Sequence, residues 1–267
     1  MGLSMIKKND SNAAFSFVVA VNDEKVFQNN VLASPVFRAG NNHEIIARRG
    51  FSSAGIAYND AMSAANNDII VFMHQDIYLP DDWDMKLKSI IETLEHSGVK
   101  WGVLGCFGIS LRGQPVGHVY SNGLNSELGF PQGPVRATSL DEIVLILRKS
   151  SGLHFDPRLS HFHLYGADIC MESKKRGYEN YVVSNYCIHN SLPINRLPEE
   201  FWQCAEYLRD KWRGDLPIKT TCVTISSLKI IMNMKRTWSG IFTNQGFFNH
   251  PQDTRLSDPS TLHPAGR

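Results

Sequence analysis

The chain has 267 residues, 42% hydrophobic and 20% charged, and its formal net charge is only +1. That balance describes an ordinary globular protein, excludes a disordered or collagen-like one, and gives no electrostatic reason for a nucleic-acid partner. The five cysteines are odd in number and form no C-x-x-C pair, which excludes a disulfide scaffold and a thiolate zinc site and implies a reducing, cytoplasmic compartment.

The stretch from Met1 to Asp10 is polar, and the first apolar run after it is too short for a signal-peptide core or a membrane span. Gly2 invites N-myristoylation, but Ile6 stands where Ser or Thr is required. A soluble protein without a transmembrane segment is expected.

Phe15 to Val21 is a short apolar run rich in β-branched and aromatic residues, hence a buried strand, ending at the turn-prone Asn22-Asp23. A weaker strand follows at His43 to Ala47. Ser52 or Ser53 caps a helix through Ala57, Ala61 and Ala64. Asp68 to Met73 is the clearest strand, and it runs into the polar cluster His74-Gln75-Asp76. Trp83, Leu87, Ile90, Ile91 and Leu94 then form the apolar stripe of a helix that Gly98 ends. Trp101 to Cys106 is strand again.

This alternation predicts parallel strands with helical crossovers, and in such sheets ligands bind beyond the carboxyl ends of the strands. Asn22-Asp23 and His74-Gln75-Asp76 both stand at such ends.

From Arg112 to Arg136 the chain is rich in Gly, Pro, Ser and Asn, which predicts a long functional loop. Asp141 to Leu147 is strand-like, Ala167 to Arg176 a helix stopped by Gly177, and Tyr181-Val182-Val183 a strand leading to His189. Pro198 to Trp212 is a last amphipathic helix. Leu228 to Trp238 is expected to be a packed terminal element rather than a membrane-surface segment. Beyond Trp238 the composition predicts poor order. The fold expectation is α/β: a mostly parallel sheet flanked by helices, one domain over residues 15–215, with extensions at 1–14 and 216–267.

Several residues carry chemistry. A carboxylate at Asp76 can hold Mn²⁺ or Mg²⁺ and leave the remaining positions to water and phosphate; it can also simply cap a turn. Asp168 opens a helix, where carboxylates are favoured as caps. Glu172 lies one turn further on the same face. His161 and His163 share a face if extended, as a metal pair or as plain loop. His118, Tyr120 and Asn122 in the irregular stretch are candidates for acceptor contact.

The run Ser53-Ala54-Gly55-Ile56-Ala57-Tyr58-Asn59-Asp60-Ala61, then Asn67 to Met73 with His74-Gln75-Asp76, then Leu79-Pro80-Asp81-Asp82-Trp83, resembles the donor half of family-2-like GT-A glycosyltransferases. Gly152 to Pro157 is similar to that family's G-x-F-D turn, and Tyr165 to Cys170 with Arg176-Gly177-Tyr178 to its acidic segment. The resemblance covers about two thirds of the chain, Phe15 to His189.

It implies metal-assisted, inverting transfer of a sugar from a nucleotide-sugar donor to a saccharide or other hydroxyl acceptor. By the same resemblance Asp76 and His189 hold Mn²⁺ or Mg²⁺, Asp168 is the catalytic base, and Asn22, Asp23, Asn59 and His74 contact the nucleotide. Two departures stand out: His74 replaces the first Asp of the Asp-x-Asp motif, and the acidic motif retains only Asp168. A non-catalytic nucleotide- or sugar-binding module of the same fold is one alternative. A sugar-phosphate nucleotidyltransferase is the other, although Val21 to Lys25 lacks that class's glycine-rich loop.

Overall fold

The structure is a computed structural model and describes residues 14–38, 41–193, 196–228 and 253–262. Its first half alternates strand and helix as the apolar spacing requires. Strand β1 (Ser16–Val21) leads to a short helix α1 (Glu24–Asn29), then β2 (Glu44–Arg49), α2 (Ala54–Ala64), β3 (Ile69–Met73), β4 (Ile77–Tyr78), α3 (Trp83–His96) and β5 (Trp101–Gly105). The second half adds β6 (Phe107–Ser110), β7 (Pro115–Ser121), β8 (Ser126–Gly129), β9 (Val135–Leu140) and β10 (Val144–Arg148). After α4 (Tyr165–Lys175) come β11 (Glu179–Val182), β12 (Cys187–His189), α5 (Glu199–Lys211), β13 (Ile218–Lys219) and β14 (Thr224–Ile225).

Twelve strands form one sheet in the order β2-β1-β3-β10-β5-β11-β9-β6-β7-β12-β4, with β8 on β7; β13 and β14 pair separately. Strands β2, β1 and β3 are parallel, as the crossovers demand. Beyond them the sheet is mixed, because β10 inserts antiparallel between β3 and β5. The α/β expectation therefore holds, but the parallel part is confined to the β2-β1-β3 edge and to the β5–β11 and β7–β12 pairs.

Both faces of the sheet are covered, and the period-2 alternation of β1 assigns its side chains to them. Phe17 and Val19 pack with Trp83, Leu87, Ile91 and Leu94 of α3. Val18 joins Ile70 and Phe72 in a second apolar cluster with Ala57 and Ala61 of α2, Ile169 of α4 and Leu208 of α5.

Three sequence expectations need correction. Residues 112–136 are not one irregular loop: β7 and β8 form a hairpin there, aligned from His118–Gly129 to Ser121–Ser126. The expected domain boundary at residue 215 falls inside the core, since Ile218, Val223 and Ile225 beyond it are buried there. Of the tail expected to lack order, 253–262 packs against the body through Asn190, Asn122 and Tyr186. The expected element at Leu228 to Trp238 lies, but for Leu228, outside the described residues, as does nearly all of the extension at 1–14.

Candidate functional site

The parallel strands β1 and β3 end side by side, and the polar residues that follow them meet. Gln75 ties the two ends together: its Oε1 accepts from the backbone N–H of Asn22 at 2.9 Å and of Asp23 at 3.0 Å, and its Nε2 donates to Asn22 Oδ1. The middle residue of His74-Gln75-Asp76 thus fixes the turn after β1.

His189 arrives from the far end of the chain through the ladder of β4 with β12, in which it stands opposite Ile77. The backbone N–H of Asn190 donates to Asp76 O at 2.9 Å and closes the pair. His189 Nε2 lies 3.4 Å from Asp76 Oδ1. The His74 ring centre is 5.7 Å from that of His189. One ligand atom from each of His74, Asp76 and His189 falls within 4.8 Å of the others.

The electrostatics of the trio follow from burial and mutual charge. Burial alone would raise the Asp76 pKa, but the charge and hydrogen bond of His189, with the charge of His74, hold it well below the usual carboxylate range. Burial lowers the His74 pKa and outweighs the opposing Asp76 charge. Burial would also lower His189, but Asp76 reverses the shift and raises it. Two imidazoles and a carboxylate offer nitrogen as well as oxygen to a divalent first-row ion, of which Mn²⁺ is one, whereas Mg²⁺ prefers a shell of oxygen.

His74 and Asp76 line a cleft of ≈ 680 Å³ whose walls also include Asn22, Arg48, Arg49, Gly50, Phe51, Tyr58 and Tyr165. Tyr165 reaches His74 Nε2 through its hydroxyl at 3.2 Å, donates to the Glu142 carbonyl at 3.3 Å, and so joins α4 to the site. Arg48 and Arg49 close β2 and are paired with Asp60 and Glu24. The sequence reading missed them, yet the signal was there: two basic residues before Gly50 at the carboxyl end of a third parallel strand. Gly50 has φ +75, a conformation that favours glycine.

The expected site residues divide into two groups. Asn22, His74 and Asp76 line the cleft, and His189 joins them through Asp76. His74, expected at the nucleotide, stands with the metal-ligand candidates.

Asp23 caps α1, accepting from Val26 N at 3.1 Å, and faces a smaller neighbouring cavity. Asn59 is turned away from the cleft. Both ends of its amide are bound to the backbone of Phe155, at 2.8 and 3.0 Å, because one step along α2 rotates it about 100° from Tyr58.

Asp168 is a buried structural carboxylate in this geometry. It is 1% exposed, accepts from Trp212 Nε1 at 2.7 Å, and is paired with Lys211 at 2.8 Å. Lys211 also binds Asp156 at 2.9 Å and Glu172, the carboxylate one turn further along α4, at 3.1 Å. Such an oxygen is poorly placed to take a proton from an incoming hydroxyl.

The charge of Asp141 is felt by both His74 and His189, and its carboxylate accepts from Ile143 N and from the Thr221 hydroxyl. His161 and His163 do not act as a pair: His161 contacts Gln203, and the His163 ring stands edge-on to Phe201. His118 and Tyr120 bond within the β7–β8 hairpin, to Glu127 and Asn125.

Comparison with known proteins places the chain. A family model described as "Glycosyltransferase like family" matches residues 16–208. The "ATP synthase subunits region ORF 6" protein of Fuscovulum blasticum is 28% identical over 196 residues, 70% of this chain and 76% of its own length. Among solved structures, S. aureus TarS 1-349 aligns over 76% of this chain and 66% of its own, with 15% identity and a TM-score of 0.44. GalNAc-T7, solved with UDP, GalNAc and Mn²⁺, aligns over 88% and 57%, with 9% identity and a TM-score of 0.48. The chain thus spans just under two thirds of the first and little more than half of the second. Likenesses this low transfer no chemistry. Among the described residues no helix is long and apolar enough to cross a membrane.

Proposed function

Because the chain belongs to the Glycosyltransferase like family, we propose that it moves a sugar from a nucleotide-sugar donor to a hydroxyl acceptor, with metal assistance and inversion at the anomeric carbon. One observation carries this reading: His74, Asp76 and His189 converge, and His74 and Asp76 line a cleft beyond the carboxyl ends of β1 and β3. These three residues hold Mn²⁺ in preference to Mg²⁺. When bound, such an ion neutralises the diphosphate as it leaves.

The remaining groups bind and orient. The Asn22 turn, fixed by Gln75, positions the nucleotide, and Arg48 and Arg49 meet its negative charge at the open side. Tyr165 holds the His74 ring in place. The acceptor's proton goes to a carboxylate, as inversion requires. Asp141, whose carboxylate accepts only neutral donors, Ile143 N and the Thr221 hydroxyl, in its hydrogen bonds, takes this role in place of Asp168, which is buried under Trp212 and anchors Lys211. The acceptor is a saccharide or another hydroxyl compound. Five free thiols suit a reducing, cytoplasmic setting.

The test is a screen of UDP- and GDP-sugars with Mn²⁺, reading the nucleoside diphosphate released. Asp76→Ala is expected to abolish release. Asp141→Asn is expected to lower turnover about 10²- to 10⁴-fold, the usual range for loss of a general base, with donor binding retained. Asp168→Asn, if folded, is expected to stay within a few-fold of wild type. Donor binding without turnover in the wild-type protein would instead identify a binding module, and a dead but folded Asp168→Asn would return the base to Asp168.

A further inference from the structure

The segment 253–262 is pinned to the proposed metal centre by one buried side chain. Asn190, 0% exposed, follows the ligand candidate His189 directly and donates its own N–H to Asp76 O. Its amide then bonds Leu256 in both directions: Leu256 N donates to Oδ1 at 2.9 Å, and Nδ2 donates to Leu256 O at 2.8 Å. Asn122 adds a bond to Thr254 O at 3.1 Å, and Tyr186 one to Leu262 O at 3.4 Å.

The registration fixes Arg255. Its side chain is 19% exposed, Nε and Nη2 bond Asp253 at 2.9 and 2.8 Å, and Nη2 lies 3.9 Å from Asp23 Oδ2. The Asp253 hydrogen bond is the first cause that raises its pKa, and the charges of Asp253, Asp23 and Asp76 add to this against burial. Arg255 lines a cavity of ≈ 180 Å³ with Asp23, and the cleft is lined by Asn22, so one turn separates the two. Asp253 uses two of the five N–H donors that a guanidinium carries.

We infer that Arg255 is a further binding residue of this site, brought over it by the 253–262 strap to contact the diphosphate of a nucleoside-diphosphate donor. The inference rests on the reading of the site as a glycosyltransferase donor site. A leaving diphosphate carries more negative charge than one divalent ion neutralises, and a fork-shaped, permanently charged guanidinium supplies the rest.

Calorimetric titration of the full chain in Mn²⁺ tests this, with UDP and GDP as probes, each beside its monophosphate. Loss of a charge-assisted hydrogen bond is expected to weaken diphosphate binding by Arg255→Gln about 10- to 100-fold. Monophosphate binding and Mn²⁺ affinity should change less than about threefold on the same scale, and Arg255→Lys should recover part of the loss. Wild-type diphosphate affinity in Arg255→Gln, beside an Asp76→Ala variant that has lost it, would overturn the inference and leave the metal-site reading standing. An equal loss of mono- and diphosphate would also overturn it, because the strap would then be only structural. Failure of the wild-type chain to bind either diphosphate would overturn the site reading and the inference together.

Discussion

Lys211 is the residue on which most buried charge depends. Its ammonium answers Asp156, Asp168 and Glu172 at once, at 2.9, 2.8 and 3.1 Å. Replacing it with Met leaves the buried Asp168 without a counter-charge, while Asp156 keeps its ion pair with Arg158, and breaking a buried pair from one side costs about 3–5 kcal/mol. Chemical denaturation of Lys211→Met is expected to show a loss of that order; a midpoint equal to wild type would mean that the carboxylates find other partners. Glu142 makes a different prediction. Burial, then the charge of Asp141, pushes its pKa up to about 8. A carboxylate whose pKa is raised on folding contributes stability that is present below its unfolded value, about 4.3, and lost as pH rises through the folded one. Glu142→Gln is therefore expected to gain stability over wild type as pH climbs from 5 to 9. Parallel pH–stability curves for the two proteins would contradict this.

At the scale of elements, α3 is the simplest case. Trp83, Leu87, Ile91 and Leu94 recur at helical spacing and are all buried, and Leu87 is 0% exposed. Leu87→Ala is expected to cost about 2–5 kcal/mol, and an unchanged denaturant midpoint would refute its placement against the sheet. Elements of this kind were legible in the sequence because one apolar period decides them: β1, β3, α2, α3 and α5 stand within a few residues of their expected bounds. The β7–β8 hairpin was not legible. Its glycines look like loop composition, yet Gly117, at φ +143, and Gly129, at φ +76, occur because a Cβ there would lie 2.3 Å from Cys106 O and 2.0 Å from Gly117 O. Close backbone approach, rather than irregularity, selected them. The turn between β9 and β10 was likewise hidden, because Asp141 closes it by accepting from Ile143 N at 3.3 Å, while the surrounding apolar run reads as continuous strand. Within the site, strand ends pointed to Asn22, His74 and Asp76. Whether Asn59 or Asp168 faces the cleft depends on helix rotation and on Lys211, which a local pattern does not carry.

For the whole molecule, the site draws on segments far apart in sequence. The turn at Asn22, the His74-Gln75-Asp76 stretch, Tyr165 and His189 meet because parallel β1 and β3 end together and because β12 returns beside β4. The central claim is that this convergence forms a divalent-metal centre, and the direct measurement is an EPR titration of Mn²⁺ with the metal-free full chain. The account predicts that wild type removes the free-ion signal at one equivalent of protein and that the bound ion shows ¹⁴N coupling from imidazole. It predicts that Asp76→Ala leaves the free-ion signal in place. A wild-type chain that leaves the signal untouched, or an Asp76→Ala variant that removes it equally well, would contradict the account.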